Sequence, residues 1–331
     1  MTAARVRTLV VLAVSAGMLV AVGPAGSPAV QAATSPLREY AVPVGSHPHD
    51  VAPAPDGTVW YSAQTAGELG RLDPATGKIQ PVKLGEGSAP HGVILGPDGA
   101  AWATDGGLNA IVRVSSDGKS VKRFPLPADR THNDLNTEAF DRHGTLWFTG
   151  QAGIYGRVTV ATGRVEIWDA PRGPGPYGIT VTPSGGIYFV SLAGSYLGHI
   201  DPETAKVTVI DPPTLHAGTR RIWSDSKGVL WMSEWDGGKL ARYDPAARTW
   251  KEYALPGQSP KPYAVYVDEH DMVWLSDWGA NVLLRFDPRK ETFESFPLPS
   301  ASAGVRQLNG RPGQVWGAES AVNKIVVWQA R

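Results

Sequence analysis

The sequence predicts an all-β protein that forms a seven-bladed β-propeller of four-stranded antiparallel blades. Three observations lead to this fold. Glycine and proline make up about a fifth of the chain, an aromatic-led strand recurs seven times at nearly constant spacing, and the repeat array is incomplete at its C-terminal end. Four short antiparallel strands per repeat are typical of a propeller blade.

The composition excludes several classes of protein. The 331 residues include 38 Gly and 28 Pro, which disfavour helices and favour turns between short strands. The 31 basic and 31 acidic residues balance, which argues against a nucleic-acid partner and against a polybasic membrane-surface protein. The absence of Cys excludes disulfides, a thiolate nucleophile and Cys-ligated zinc.

We expect the protein to be a monomer.

Residues 1–32 have the pattern of a secretory signal peptide. Arg5 and Arg7 precede an apolar run at 9–22, and small residues follow near Ala32. That run is shorter than the ~20 residues that span a bilayer, so we expect cleavage and no stable membrane anchor. An uncleaved anchor is the alternative. The mature chain, residues 33–331, is then predicted to be one propeller domain that is secreted or periplasmic.

Seven repeat units fill residues 37–331. The aromatic residues that mark them are Trp60, Trp102, Trp147, Tyr188, Trp231, Trp274 and Trp316, spaced 41 to 45 residues apart. Three residues before them stand Gly57, Gly99, Gly144, Gly185, Gly228, Asp271 and Gly313. A tight hairpin needs positive φ at that position, which Gly adopts freely and Asp tolerates. We expect the aromatic residues to pack between blades.

Two further strands complete each unit. Residues 239–243, for example, end at an Asp-Pro turn, and residues 251–255 form the fourth strand. The seventh unit ends at 324–331 without a fourth strand, whereas residues 38–43 have the missing pattern. We predict that this N-terminal strand pairs with the last blade and closes the ring, which protects sheet edges that would otherwise be exposed.

Two sets of repeat positions are predicted to face one end of the central channel. The first lies eleven residues before each aromatic residue: His49, His91, Asn136, Tyr177, Arg220, Tyr263 and Val305. The second lies three residues after it: Ala63, Asp105, Gly150, Ser191, Glu234, Asp277 and Glu319. Structural repetition would favour repeated small or apolar residues, so the varied polar residues predict a small-molecule site. The alternative is that they pair only with each other and with water.

These side chains suggest three roles. The catalytic candidates are Tyr263, His91, His49 and Arg220, because His titrates near neutral pH and Arg can stabilise an oxyanion. The substrate-binding candidates are Tyr177, Arg221, Trp235 and Trp278. The metal candidates are Asp277, Glu234 and Glu319, since a hard divalent cation prefers oxygen ligands.

The repeats resemble the streptogramin B lyase family, whose members are also called virginiamycin B lyase-like proteins. The resemblance rests on units such as PHGVILGPDGAAWATDGGLNAIVRV at 90–114 and PYAVYVDEHDMVWLSDWGANVLLRFDP at 262–288, and on the FPLP that follows. It covers essentially all of residues 37–331. It implies a seven-bladed propeller that opens a cyclic depsipeptide by β-elimination, with Mg²⁺ assisting. The ligand at this end of the central channel would then be a cyclic peptide or a related small molecule.

The late repeats depart from that family's pattern. Where the family has His residues, this chain carries Arg220 and Tyr263, and Asp277 follows fourteen residues after Tyr263. A His–acid pair with this spacing occurs only earlier, as His91 and Asp105. A non-catalytic propeller that binds a glycan, a peptide or an envelope component is therefore one alternative to the lyase. A metal-dependent lactonase is another.

Overall fold

The computed structural model describes Met1 and residues 36–330, which contain 28 strands in seven sheets of four. In chain order the strands are β1 (Leu37–Ala41), β2 (Pro48–Pro53), β3 (Val59–Ala63), β4 (Glu68–Asp73), β5 (Lys78–Lys83), β6 (Pro90–Leu95), β7 (Ala101–Asp105), β8 (Ala110–Val114), β9 (Val121–Pro125), β10 (Leu135–Phe140), β11 (Thr145–Gly150), β12 (Ile154–Thr159), β13 (Arg164–Asp169), β14 (Pro176–Val181), β15 (Ile187–Ser191), β16 (Tyr196–Ile200), β17 (Val207–Ile210), β18 (Thr219–Ser224), β19 (Leu230–Glu234), β20 (Lys239–Asp244), β21 (Thr249–Ala254), β22 (Pro262–Val267), β23 (Val273–Asp277), β24 (Val282–Asp287), β25 (Thr292–Pro297), β26 (Val305–Arg311), β27 (Gln314–Glu319) and β28 (Lys324–Gln329). One short 3-10 turn, Gln64–Ala66, follows β3.

The seven sheets are the blades of the predicted propeller. Blades 1 to 6 each take four consecutive strands from β2 to β25, and blade 7 consists of β26, β27, β28 and β1. The first strand of each blade lies at the central channel. The predicted signal peptide, residues 1–32, falls outside the described residues except for Met1. Within residues 36–330 no helix is long and apolar enough to cross a membrane.

The N-terminal strand closes the ring, as the sequence predicted. β1 pairs antiparallel with β28, from Leu37 opposite Trp328 to Ala41 opposite Lys324. The Lys324 ammonium donates to Glu39 at 2.5 Å and to the Ser300 hydroxyl at 2.7 Å. The closure therefore combines a full strand ladder with a half-buried ion pair, and it needs no disulfide.

The tight hairpins adopt the predicted backbone. The seven positions three residues before the repeat aromatics have φ between 60° and 94°: Gly57, Gly99, Gly144, Gly185, Gly228, Asp271 and Gly313. Only glycine adopts this region without strain, and Asp is among the residues that tolerate it. The hairpins fix where each second strand begins, and so where its aromatic residue lies.

The repeat aromatics form the packing between blades. Six are tryptophans that are at most 1% exposed, and the seventh is Tyr188 at 7%. Trp60 packs with Val93 and Ala101 of the next blade, and Trp274 packs with Val305 of blade 7. Buried aromatic area of this size is a major source of stability, so these residues are structural as predicted.

Every inner strand has an irregular register near its start. The ladder to the second strand skips two residues, for example between Pro48 and Val51 in blade 1 and between Pro262 and Val265 in blade 6. The same irregularity occurs in the other five blades. A bulge of this kind re-aims side chains out of the regular pleat. The bulge residues are the ones that meet at the channel entrance.

Candidate active site at the channel entrance

The first bulge residue of each blade defines the channel entrance: His49, His91, Asn136, Tyr177, Arg220, Tyr263 and Arg306. Six of the seven come from the first predicted set. They form a continuous chain of contacts that runs from His49 to His91, on to Tyr177, and then to Tyr263. The structure therefore brings together the residues that the repeat spacing singled out in blades 1 to 6.

The prediction for blade 7 is wrong by one residue. Val305 is fully buried and pairs with Glu319, so it begins the strand rather than occupying the bulge. In blade 7 the hairpin ladder joins Gly310 to Val315, whereas the matching pair in blade 1 is Pro53 and Val59. The connection between the first two strands is one residue shorter in blade 7. The position eleven residues before Trp316 therefore falls one residue before the bulge. Arg306 holds the entrance position instead.

Two histidines lie at the centre of the entrance. The ring centroids of His49 and His91 are 3.7 Å apart, and His49 Nδ1 lies 2.7 Å from the Asp50 carboxylate. His91 Nδ1 faces the Asn136 carbonyl at 3.0 Å, which fits a proton on Nδ1. Burial lowers the pKa of both histidines well below the usual value, and the Arg221 charge lowers the pKa of His49 further. Both rings are therefore neutral at neutral pH, and His49 is held by Asp50 in the manner of a general base.

Asp50 and Arg221 form a buried ion pair directly behind the histidines. The guanidinium Nη2 lies 2.6 Å from Asp50 Oδ1, and Nη1 donates to Thr137 at 2.9 Å. Burial raises the pKa of Asp50, while Arg221 acts to lower it. Arg221 was predicted to bind substrate, but two of its guanidinium nitrogens are already engaged by Asp50 and Thr137. Its position suits orienting Asp50 rather than contacting a ligand.

Four aromatic rings form one wall of the entrance. The hydroxyls of Tyr177 and Tyr263 are 2.5 Å apart, and burial raises the pKa of Tyr177. Tyr263 stacks on Trp278 with ring centroids 5.1 Å apart and planes 12° from parallel. Trp235 meets both rings edge-on. Trp235 and Trp278 are half-buried, so these two predicted substrate-binding residues offer ring surface to a ligand.

Two arginines face this aromatic wall. The Arg220 Cζ lies 4.7 Å from the Trp235 ring centroid and 4.8 Å from that of Tyr263. The Arg306 Cζ lies 5.4 Å from the Trp278 ring, and its Nη1 is 3.4 Å from the Tyr263 hydroxyl. Neither guanidinium has an ion pair with an acid among the described residues, and the Nε of each is buried without a hydrogen-bond partner. The entrance is therefore rich in uncompensated positive charge.

The three predicted metal ligands do not meet. Asp277 accepts hydrogen bonds from the backbone N–H groups of Lys261 and Gly279, which ties its own loop to the strand end. Glu234 and Glu319 are buried, and burial raises the pKa of each to about 8, with the Glu252 and Glu39 charges contributing respectively. The only three acid or histidine ligand atoms within 4.8 Å of one another in the described part of the chain belong to His49, Asp50 and His91.

This arrangement does not fit a magnesium ion. Mg²⁺ prefers several oxygen ligands, and the His49, Asp50 and His91 group offers two nitrogens and one carboxylate. That carboxylate already binds Arg221, and the charges of three arginines reach His49. A divalent cation at this point would meet strong repulsion and few oxygen donors.

Beyond the Asp50–Arg221 pair the channel continues as a cavity of about 410 Å³. All seven inner strands contribute to its lining, which is mostly apolar and includes Ile94, Phe140 and Trp223. Glu138 is part of this wall and is buried. The channel thus has a polar, cationic entrance and a largely apolar remainder.

Sequence reasoning missed Asp50 and Arg306. Both lie next to residues that the repeat spacing selected, at 49 and 305. A bulge takes two consecutive residues out of the strand ladder rather than one, so the signal was present in the neighbouring positions of the same repeat. Asp50 and Arg221 occupy the second bulge position in blades 1 and 5.

The fold and the entrance define a class: a seven-bladed β-propeller with a polar site where its inner strands begin. The chain belongs to the virginiamycin B lyase family, whose family model matches residues 22–251. No curated protein sequence matches it significantly.

Solved structures agree with the family. A streptogramin B lyase structure shares 26% identity at a TM-score of 0.81 and covers 88% of this chain and 96% of its own. Virginiamycin B lyase from Staphylococcus aureus shares 22% identity at a TM-score of 0.82 and covers 89% of this chain and 99% of its own. A catalytically inactive His-to-Ala variant of the Staphylococcus aureus enzyme, with quinupristin, shares 23% identity at a TM-score of 0.82, with the same coverage. At these last identities the likeness shows the fold alone.

Proposed function

We propose that this protein is a carbon–oxygen lyase that opens an ester in a cyclic peptide or a related small molecule by β-elimination at the channel entrance. The observation that carries the proposal is the convergence of a His–Asp pair, a tyrosine pair and two unpaired arginines at one end of the channel. Membership of the virginiamycin B lyase family supports the same reaction class.

Each group has a place in the chemistry. His49, neutral and oriented by Asp50, accepts the proton on the carbon next to a carbonyl. The electron pair of that C–H bond forms a carbon–carbon double bond, and the bond from the neighbouring carbon to the ester oxygen breaks. The ester carboxyl leaves as a carboxylate, whose charge Arg220 and Arg306 stabilise. No step in this scheme uses a metal, because the residues present do not fit magnesium.

The test is incubation of the mature protein with quinupristin, with magnesium or with a chelator, followed by mass spectrometry and ultraviolet spectroscopy. Elimination opens the ring without a change in mass and creates a new double bond, whereas hydrolysis adds one water. We expect turnover in the chelator as well, and its loss in His49→Gln but not in His143→Gln, which changes an exposed turn. An intact ring under all conditions would refute the proposal.

A second candidate function is ligand capture without catalysis. The late positions carry Arg220 and Tyr263, and the predicted metal carboxylates lie apart, which favours a binding protein. The quinupristin incubation separates the two: a saturable heat of binding with no product would support capture.

We also propose that the protein is exported, since residues 1–32 have a signal-peptide pattern. Expression of the full chain with N-terminal sequencing of the extracytoplasmic fraction tests this. A mature N-terminus near residue 33 is expected. An intact N-terminus in the cytoplasmic fraction would contradict it.

A further inference from the structure

Arg220 is unusual among the arginines of the described chain. Its guanidinium is half-buried, has no carboxylate partner and makes no hydrogen bond to a described residue. Arg123 and Arg311 also lack a carboxylate, but both donate to backbone carbonyl groups. A guanidinium that is partly desolvated and unpaired costs free energy, so its retention indicates a partner that arrives from solution.

Arg306 repeats this condition beside the same aromatic ring. The Cζ atoms of Arg220 and Arg306 lie 4.8 Å and 5.8 Å from the Tyr263 ring centroid. The single hydrogen bond that Arg306 makes among the described residues is the 3.4 Å contact to the Tyr263 hydroxyl. Two guanidiniums that border one ring can address a single anionic group between them, and Arg binds planar carboxylates with paired hydrogen bonds.

The surroundings indicate what that anion is attached to. Trp235 and Trp278 are half-buried, lie edge-to-face with centroids 5.4 Å apart, and border the two arginines. Indole faces at a partly open site favour flat apolar or aromatic groups. No acid at the first bulge position of any blade would repel the anion, since those seven residues are histidines, an asparagine, tyrosines and arginines.

We propose that Arg220 and Arg306, with Trp235 and Trp278, form a clamp for a carboxylate that is joined to an aromatic or other flat apolar group. This site deepens the proposed function and rests on it in one respect. If the protein eliminates esters, the carboxylate that is released would be held at this clamp. The clamp itself needs no catalysis. Ligands that end in an aromatic amino acid with a free carboxylate are the expected class.

The experiment is isothermal titration calorimetry with N-acetyltryptophan and with its neutral analogue N-acetyltryptophanamide. We expect the carboxylate to bind at least about ten times more tightly than the amide, because only the carboxylate neutralises the guanidiniums. Inorganic phosphate and acetate are further probes. Phosphate binding as tight as that of N-acetyltryptophan would overturn the assignment of a carboxylate on an aromatic group, and equal binding of acid and amide would overturn the clamp.

Variants identify the residues. Arg220→Gln and Arg306→Gln are each expected to weaken N-acetyltryptophan binding about tenfold and to leave the amide unchanged. The matched control is Arg285→Gln, because Arg285 also borders aromatic rings but is already paired with Glu294. Thermal unfolding verifies that each variant folds. Undiminished binding in both entrance variants would refute the clamp.

The outcomes for the clamp and for the lyase are separable. Selective carboxylate binding without quinupristin turnover would refute the lyase and keep the clamp. Turnover without selective carboxylate binding would keep the lyase and refute the clamp.

Discussion

The two sides of the central channel carry different kinds of side chain at neighbouring positions of the same repeat. At the entrance the first bulge position carries polar or aromatic side chains throughout, which vary among His, Asn, Tyr and Arg. One residue beyond the bulge, the matching positions are Val51, Val93, Glu138, Ile179, Ile222, Val265 and Leu308, which are aliphatic in six of the seven blades.

The difference has a local cause. Residues in the bulge have no ladder partner on the second strand, so their side chains leave the regular pleat. Residues beyond it return to the regular pleat and pack between blades, where only apolar groups fit without cost. Varied polar side chains are therefore accommodated at the first bulge position, and the buried Asp50–Arg221 pair at the second bulge position separates the entrance from the apolar side.

The largest expected effect comes from breaking that separating pair. Arg221→Met leaves the Asp50 carboxylate buried without its cation, and we expect a loss of about 3–5 kcal/mol in the free energy of unfolding. Urea unfolding measures it. The control, Arg242→Met, removes a more exposed pair with Asp244 and should cost under about 1 kcal/mol.

A double variant sharpens the interpretation. Asp50→Asn combined with Arg221→Met removes both charges, so it should recover much of the lost stability. If the double variant is as unstable as Arg221→Met alone, the loss arises from packing and not from the uncompensated charge.

The next effect concerns turnover and is measured on folded protein, because Asp50→Asn also removes the partner of Arg221. Asp50→Asn removes the acceptor that orients His49, and we expect the kcat for ester elimination to fall about 10²–10⁴-fold while KM changes little. Steady-state kinetics with quinupristin measures both parameters. A rise in KM with unchanged kcat would show that Asp50 supports substrate binding rather than the base.

The fold could be predicted from the sequence because its signals are local and repeated. The glycine at a fixed distance before each aromatic residue sets the hairpin, and the unmatched 38–43 segment reveals the closure. Both depend on backbone geometry that a few residues dictate.

The site was predicted less completely, for geometric reasons. Counting eleven residues back succeeded wherever the hairpin has one length and failed at Val305, where it is one residue shorter. The acids Glu234, Asp277 and Glu319 share a repeat position, but that position lies on second strands, away from the channel axis. Successive blades are rotated about the channel axis, so the three carboxyl groups point from different blades and do not meet. The repeat spacing in the sequence does not show this separation.

A smaller effect tests the acids that do not reach the entrance. Glu319 ionises near pH 4.5 when unfolded, and in the folded protein burial raises its pKa to about 8. The folded state thus holds the proton more tightly, and stability falls as pH rises from 4.5 to 8. Glu319→Gln should abolish this contribution, which amounts to at most about 1.4 kcal/mol per pH unit.

Urea unfolding at pH 5 and pH 8 measures this effect. We expect the variant to gain about 3–4 kcal/mol over the native chain at pH 8 relative to pH 5, since most of the interval between the two pKa values lies between these pH values. The control is Glu294→Gln, an exposed acid paired with Arg285, which should change stability by under about 1 kcal/mol at either pH. An equal response of both variants would contradict the assignment to Glu319.

The smallest effect restores the aliphatic ring on the far side of the channel. Glu138 lies against Gly92, whose missing Cβ leaves room for the carboxyl group. Neither carboxyl oxygen has a hydrogen-bond partner, and the nearby Thr104 hydroxyl donates to the Asn136 carbonyl instead. Burial raises the pKa of Glu138 well above its usual value, and the Asp50 charge raises it further.

Glu138→Leu removes a desolvated polar group and adds apolar contact, so we expect a gain of about 1–2 kcal/mol in the free energy of unfolding at pH 7. Glu138→Gln should gain less, because its amide stays buried without partners. Calorimetric binding of N-acetyltryptophan should be unchanged in both variants, since the Asp50–Arg221 pair lies between this wall and the entrance. A variant that gains stability but loses that binding would show that the two sides of the channel are coupled, and the contrast between them would then be one of composition rather than of function.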